Sequence, residues 1–140
     1  LGLGATVITN RREVAADDFF VGMYTTALHE DEIITAIRFP IPQRAAYLKF
    51  KQAASRFSLV GVFVAQFDAG VRVAVTGASS CVFRHAGLEA ALSGSFTPQA
   101  AAAVVIDASD LNADLHASAA YRANLISVQT QRAVAKMTSP

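Results

Sequence analysis

The feature that most constrains the fold of this chain is a set of three strand-like segments between residues 46 and 77. Residues 46–53 alternate apolar and polar side chains, which predicts a strand with two unlike faces. Residues 59–67 are nearly all apolar and suit a central strand. An Asp-Ala-Gly hairpin signal follows at 68–70, and residues 71–76 alternate again. We therefore predict an antiparallel meander.

Helical signals come after these strands. Residues 86–92 predict a short helix, and residues 97–106 begin with a Thr-Pro pair, a capping hydroxyl followed by a proline suited to the first helical position. Ser118 is placed to cap a last helix over residues 119–137. Strands first and helices last indicate an α+β fold, in which an antiparallel three- to four-stranded sheet packs against C-terminal helices.

The predicted core lies between that sheet and the helices. The residues expected to be largely buried there are Leu48, Phe50, Val60, Val62, Val64, Val73, Leu125 and Val128. The apolar stripe expected on the last helix is Tyr121, Leu125, Val128 and Ala135. Upstream, residues 5–9 and 32–39 are also strand-like, and the acidic and aromatic pairs at 17–20 predict a structured loop with one helical turn.

Composition excludes several classes of protein. With 53% hydrophobic and 16% charged residues, the chain is a folded globular one, long enough for one domain. A net charge of +1 without a Lys/Arg block argues against nucleic acid and anionic membrane surfaces, and no apolar run approaches the ~20 residues of a membrane helix. The single cysteine, Cys81, excludes an internal disulfide and fits a cytoplasmic location. The start, Leu-Gly-Leu-Gly without Met, is interpreted as a cut inside a longer polypeptide.

The residues alone give no catalytic constellation. The histidines 29, 85 and 116 lack partners at metal-ligand spacing and are interpreted as ordinary surface or partly buried residues. Cys81 and His85 lie four residues apart and are a candidate nucleophile and base, but no third group orients them. Lys49 and Lys51 share a predicted solvent-facing side of a strand, and the aromatic ring of Phe57 suits a lid over the core.

A series of short motifs nevertheless occurs in a distinctive order. They are Asp18-Phe19-Phe20-x-Gly22, Thr26-x-Leu28, Asp31-Glu32-Ile33-Ile34, Phe39-Pro40, Tyr47-x-Lys49-Phe50-Lys51-Gln52-Ala53, Val71-Arg72 through Thr76-Gly77, Glu89-x-x-Leu92-x-Gly94 and Ser118-Ala119-x-Tyr121-Arg122-x-x-Leu125. In this order the chain resembles the medium, FAD-binding subunit of molybdenum hydroxylases, a family that includes carbon monoxide dehydrogenase and xanthine dehydrogenase.

This resemblance implies a domain organisation. Residues 1–40 correspond to the tail of the second FAD-binding subdomain, and residues 45–140 to the C-terminal α+β domain of the flavoprotein subunit. The family's glycine-rich pyrophosphate loops would precede residue 1. The resemblance thus implies that this chain by itself holds no tightly bound FAD and is inactive, and that the face left open by the cut is mobile or covered in a homo-oligomer.

The resemblance also implies an oxidoreductase role. In the family, electrons pass from a molybdenum cofactor in the large subunit through [2Fe-2S] clusters in the small subunit to FAD, and then to an external acceptor. Ile34 and Lys51 match residues that line the flavin, and Phe57 matches an aromatic residue that covers the isoalloxazine; no catalytic or metal-binding residue is implied. The alternative left open is a cofactor-free α+β module for interaction or dimerisation.

Overall fold

The computed structural model describes residues 1–139 and has an α+β architecture. Its N-terminal part holds a three-stranded antiparallel sheet in the order β2-β1-β5, with a small β3-β4 ribbon beside it. The elements of this part are β1 (Thr6–Thr9), β2 (Glu13–Ala15), α1 (Ala16–Phe19), β3 (Phe20–Gly22), β4 (Thr25–Thr26) and β5 (Ile34–Arg38). The single turn of α1 confirms the short helix predicted at the acidic and aromatic pairs.

The remainder forms a four-stranded antiparallel sheet in the order β6-β7-β8-β9, followed by helices. Its elements are β6 (Arg44–Lys51), β7 (Ser58–Phe67), β8 (Gly70–Thr76), β9 (Phe83–Arg84), α2 (Ala86–Gly94), α3 (Pro98–Ala102) and α4 (Ala119–Thr138). The meander is confirmed: Phe67 pairs with Gly70 across a two-residue turn, and Gly70 adopts a φ of +136° that favours glycine. The predicted fold class is therefore correct.

The buried core lies where β7 and β8 meet α2 and α4. Five of the eight predicted core residues are buried, namely Val60, Val62, Val64, Val73 and Leu125. Leu48 is half-buried and packs against this core. The prediction was wrong for Phe50, which is 36% exposed because it lies near the end of β6. Its ring meets that of Tyr121 edge-on, with centroids 6.1 Å apart. Val128 is only half-buried.

The buried face of α4 differs from the predicted stripe, because Tyr121 and Ala135 are exposed. The buried residues of this helix are Arg122, Ala123, Leu125, Ile126, Gln129, Thr130, Ala133 and Val134. Polar residues occupy positions on this face because they find partners there; the Thr130 hydroxyl, for example, donates to the Ile126 carbonyl at 2.7 Å. The predicted stripe counted apolar residues alone and therefore lay to one side of the face that is buried.

Two helices begin at the residues that the sequence predicted. The hydroxyls of Thr97 and Ser118 accept from the backbone N–H groups three residues on, as predicted for N-caps. The alanine-rich helix is shorter than predicted and ends at Ala102. None of the four helices in the described part of the chain has the length and hydropathy that a bilayer crossing requires.

An ion-pair cluster joins the N-terminal part to the larger sheet. Arg72 on β8 donates to both carboxylate oxygens of Asp17, at 2.7 and 2.9 Å, and to the Leu1 carbonyl at 3.0 Å. Arg84 lies 3.3 Å from the same carboxylate and also pairs with Glu89. Burial raises the pKa of Asp17, but the hydrogen bonds and charges of the two arginines outweigh it and leave the pKa below its usual range.

Candidate functional site

The turn between β6 and β7, residues 52–57, begins directly after one predicted site residue, Lys51, and ends with another, Phe57. The Gln52 side-chain oxygen accepts from the backbone N–H groups of Ala54 and Ser55, at 2.6 and 2.9 Å. The Gln52 N–H donates to the Phe57 carbonyl at 3.0 Å, and Arg56 adopts a left-handed φ of +59°. Gln52 therefore shapes this turn through local hydrogen bonds.

Lys51 directly precedes the 52–57 turn, and Phe57 is its last residue. Lys51 ends β6, pairs with Ser58 across a register shift, and is exposed. Phe57 precedes β7 and is 49% exposed, so much of its ring faces solvent. Ile34 lies in the other sheet, at the start of β5 opposite Thr9. The structure thus brings two of the predicted residues together and places the third on a separate element.

The base of the turn is held by packing beneath it. The Tyr47 hydroxyl lies 2.8 Å from the Ser58 hydroxyl. The Tyr47 ring covers Gly61, where any side chain would collide with it. Glycine on β7 therefore lets the tyrosine lie flat against the sheet and reach the residue that follows Phe57.

A buried arginine on α4 supports the same region from inside. Arg122 is 3% exposed, and its Nη1 donates to the carbonyls of Leu59 and Gly77 at 2.8 and 2.9 Å. Its Nη2 donates to Asp114 at 2.8 Å. The carbonyls belong to the start of β7 and to the residue that follows β8, so one cation joins α4 to both strands.

His116 extends this network to the aromatic ring. Its ring meets Phe57 edge-on, with centroids 6.3 Å apart and an interplanar angle of 74°. Asp114 accepts from the N–H groups of His116 and Ala117 at 2.9 and 3.1 Å, and the His116 N–H is the largest cause of a lowered Asp114 pKa. Sequence reasoning missed Arg122, Asp114 and His116. The available signal was Arg122 itself, one turn before the buried Ile126 on the same helix face.

Comparison with known proteins shows what this chain is similar to. The nicotine 6-hydroxylase medium subunit of Paenarthrobacter nicotinovorans is 36% identical, over 91% of this chain and 48% of that protein. The carbon monoxide dehydrogenase medium chain of Hydrogenophaga pseudoflava is 32% identical, over 89% of this chain and 47% of that protein. The chain is similar to the medium subunits of molybdenum hydroxylases. It spans about half the length of the curated relatives it matches, and no family model matches it.

Two solved structures share the fold of this chain. Quinoline 2-oxidoreductase from Pseudomonas putida 86 superposes with a TM-score of 0.78 at 22% identity, covering 97% of this chain and 53% of the other. A Cu,Mo-CO dehydrogenase superposes with a TM-score of 0.75 at 24% identity and covers the same shares. The predicted resemblance to this family is confirmed.

The geometry supports no catalytic role for the other candidate residues, Cys81 and the histidines. His85 caps α2, because its Nδ1 accepts from the Leu88 N–H at 3.2 Å. Cys81 and His85 line a cavity of 340 Å³, but Nδ1 is occupied by the cap, so no third group orients the imidazole through it. Residues 1–139 contain no group of three His, Cys, Asp or Glu side chains able to hold a metal ion.

A buried carboxylate organises the N-terminal sheet. Glu32 accepts from Arg12 at 2.9 and 3.1 Å, from the His29 N–H at 3.0 Å, and from the Thr9 hydroxyl at 2.7 Å. These bonds, that of Arg12 first, lower the pKa of Glu32 to about 2. Glu32 therefore joins the β1–β2 turn to the segment before β5.

This carboxylate should make stability depend on acid pH. Because the pKa in the folded chain lies below its ordinary value of 4.5, the stabilisation is fully present above 4.5 and is lost as the pH falls toward 2. Glu32→Gln should lower the thermal unfolding temperature at neutral pH, and the difference from the unmodified chain should shrink through this window. Thermal unfolding across a pH series measures both effects, with the exposed Glu30→Gln as the control. A constant difference at every pH would contradict the assignment.

Proposed function

We propose that this chain is part of the FAD-carrying subunit of a molybdenum hydroxylase. In this role it helps to pass electrons from [2Fe-2S] clusters in a small subunit, supplied by the molybdenum cofactor of a large subunit, through FAD to an external acceptor. The relatives support this proposal, since both are medium subunits or chains of multi-subunit oxidoreductases. The 52–57 turn is the observation that carries it.

The residues at this turn fit one wall of a flavin site. Phe57 presents a half-exposed aromatic ring, and Lys51 presents an exposed cation on the neighbouring strand. A ring stacked on the isoalloxazine would contribute on the order of 0.5–1.5 kcal/mol beyond area burial. When bound, FAD supplies the redox chemistry; the nearby ammonium of Lys51 favours added negative charge on the ring, and Phe57 excludes water from one side. Ile34, on β5, is proposed to line the flavin from the N-terminal part.

The domain assignment belongs to the same proposal. Residues 1–40 are assigned to the second FAD-binding subdomain and residues 45–140 to the C-terminal domain. In the described residues, Ile34, Lys51 and Phe57 would contact only one side of the flavin ring. Small-molecule sites normally bury most of their ligand. We therefore expect FAD retention and activity to require more of the subunit than residues 1–140.

The test is a substitution in the complete FAD-containing subunit. Phe57→Ala removes the proposed stacking ring, so we expect a changed flavin fluorescence and a shifted midpoint potential. Phe39→Ala, which removes a similarly exposed aromatic ring from the N-terminal part, is the control and should leave both unchanged. Visible absorbance, fluorescence and redox titration provide the measurements. An unchanged flavin in Phe57→Ala would contradict the site, and a complete subunit without FAD would contradict the function.

A second candidate is a cofactor-free interaction module, and one observation favours it. The N-terminal part exposes a set of large apolar side chains that includes Val21, Met23, Tyr24, Ile33, Ile37, Phe39 and Ile41. Exposed apolar side chains mark contact with another protein or segment when they form one patch. Absence of bound FAD from the complete subunit, together with dimerisation lost on Ile37→Lys, would favour this alternative.

A further inference from the structure

Arg122 is a buried cation whose surroundings define its role. Its guanidinium has three acceptors, the Leu59 and Gly77 carbonyls and the Asp114 carboxylate, while its Nε has no partner. A buried charge is costly unless paired and hydrogen-bonded, so the fold keeps all three acceptors close to this side chain. The arginine therefore fixes the relative positions of three separate chain segments.

Two of these segments reach Phe57 from opposite directions. Leu59 lies two residues after Phe57, so its carbonyl holds the start of β7 in place. Asp114 holds the backbone of His116, and the His116 ring meets the edge of Phe57. The Phe57 ring is thus restrained through its own backbone and through a neighbouring ring, and both restraints lead back to Arg122.

We infer that Arg122, acting through Asp114 and His116, is a positioning residue that sets the orientation of Phe57 and of the 52–57 turn. The inference rests on the proposed function, in which that ring faces the flavin. It assigns to α4 and the loop before it a role in tuning the flavin, although neither lies at the turn itself. Loss of the network would free the ring to move while leaving its chemistry intact.

The first test measures the turn directly in the complete subunit, by hydrogen exchange of the backbone amides of residues 52–58. Arg122→Met and His116→Ala should each speed this exchange by roughly 5- to 30-fold. Arg122→Lys keeps the charge but not the forked geometry, so its rate should be intermediate. The matched controls are Arg132→Met, an exposed arginine on the same helix, and Leu115→Ala, an exposed neighbour of His116. Rates equal to those of the controls would overturn the inference, and the exposed His116 variant gives this answer even if Arg122→Met does not fold.

The second test is the flavin potential of the same variants. Arg122→Lys and His116→Ala should shift the midpoint potential in the direction that Phe57→Ala shifts it, and the controls should not. If Phe57→Ala moves the potential but the other two variants do not, the positioning role is wrong and the proposed function survives. If Phe57→Ala leaves the potential unchanged, the proposed flavin site is wrong, and the exchange rates then decide alone whether Arg122 orders the turn.

Discussion

Gly77→Ala should destabilise the chain by at least about 3 kcal/mol, among the larger effects expected from a single methyl group. Gly77 follows β8 with a left-handed φ of +80°, which costs other residues about 1–2 kcal/mol. A Cβ there would also lie 2.6 Å from the Ser58 carbonyl oxygen and 2.8 Å from that of Leu59. Since these are backbone atoms of β7, the strand itself would have to move. Denaturant unfolding of the chain measures the loss.

Gly94→Ala is the matched control for this substitution. Gly94 ends α2, and a Cβ there meets no atom within 4 Å. Alanine favours helix over glycine by about 1 kcal/mol in helix interiors, so this variant should be neutral or slightly more stable. Equal stability losses in the two variants would show that the close approach of Gly77 to β7 has been misjudged.

Leu88→Ala should lower the free energy of unfolding by about 2–5 kcal/mol, because it deletes most of a fully buried side chain and leaves a cavity. Leu88 lies on α2 with no exposed surface and belongs to the main core cluster. Leu115→Ala makes the same chemical change at a side chain that is 91% exposed, where about 0.5 kcal/mol or less is expected. Comparing the denaturant midpoints of the two variants separates the effect of burial from that of the Leu-to-Ala change itself. Similar midpoints would contradict the placement of Leu88 in the core.

The sequence predicted those parts of the fold that depend on neighbouring residues. Alternation and turn chemistry predicted the β6–β7–β8 meander, and the hydroxyls of Thr97 and Ser118 predicted two helix starts. These succeeded because a strand face or a cap is decided within a few positions along the chain. The family resemblance, carried by motifs in order, was confirmed for the same reason: it needed the residues and their spacing, without knowledge of contacts.

The core and the candidate site were predicted only in part. Phe50 is apolar and lies on the same face of β6 as Leu48, as a core residue would. It is nevertheless partly exposed, because it lies near the end of the strand. The assignments of Ile34, Lys51 and Phe57 to a flavin remain predictions. The structure adds that Lys51 and Phe57 lie at one turn while Ile34 lies in another sheet. The alternation of side chains along a strand does not show how far along that strand a packed helix extends.

The amino-acid sequence by itself determined the class of fold, the hairpin, the helix caps and the family resemblance of this chain. Only the tertiary structure decided that Arg122 belongs to the core. Its carbonyl partners, Leu59 and Gly77, lie 63 and 45 residues away along the chain. A guanidinium is stable in a protein interior only when such acceptors surround it. No local sequence pattern predicts which distant carbonyls will be its acceptors. The same holds for His116, a surface residue by sequence whose contact with Phe57 exists only because the fold brings the loop before α4 to the β6–β7 turn.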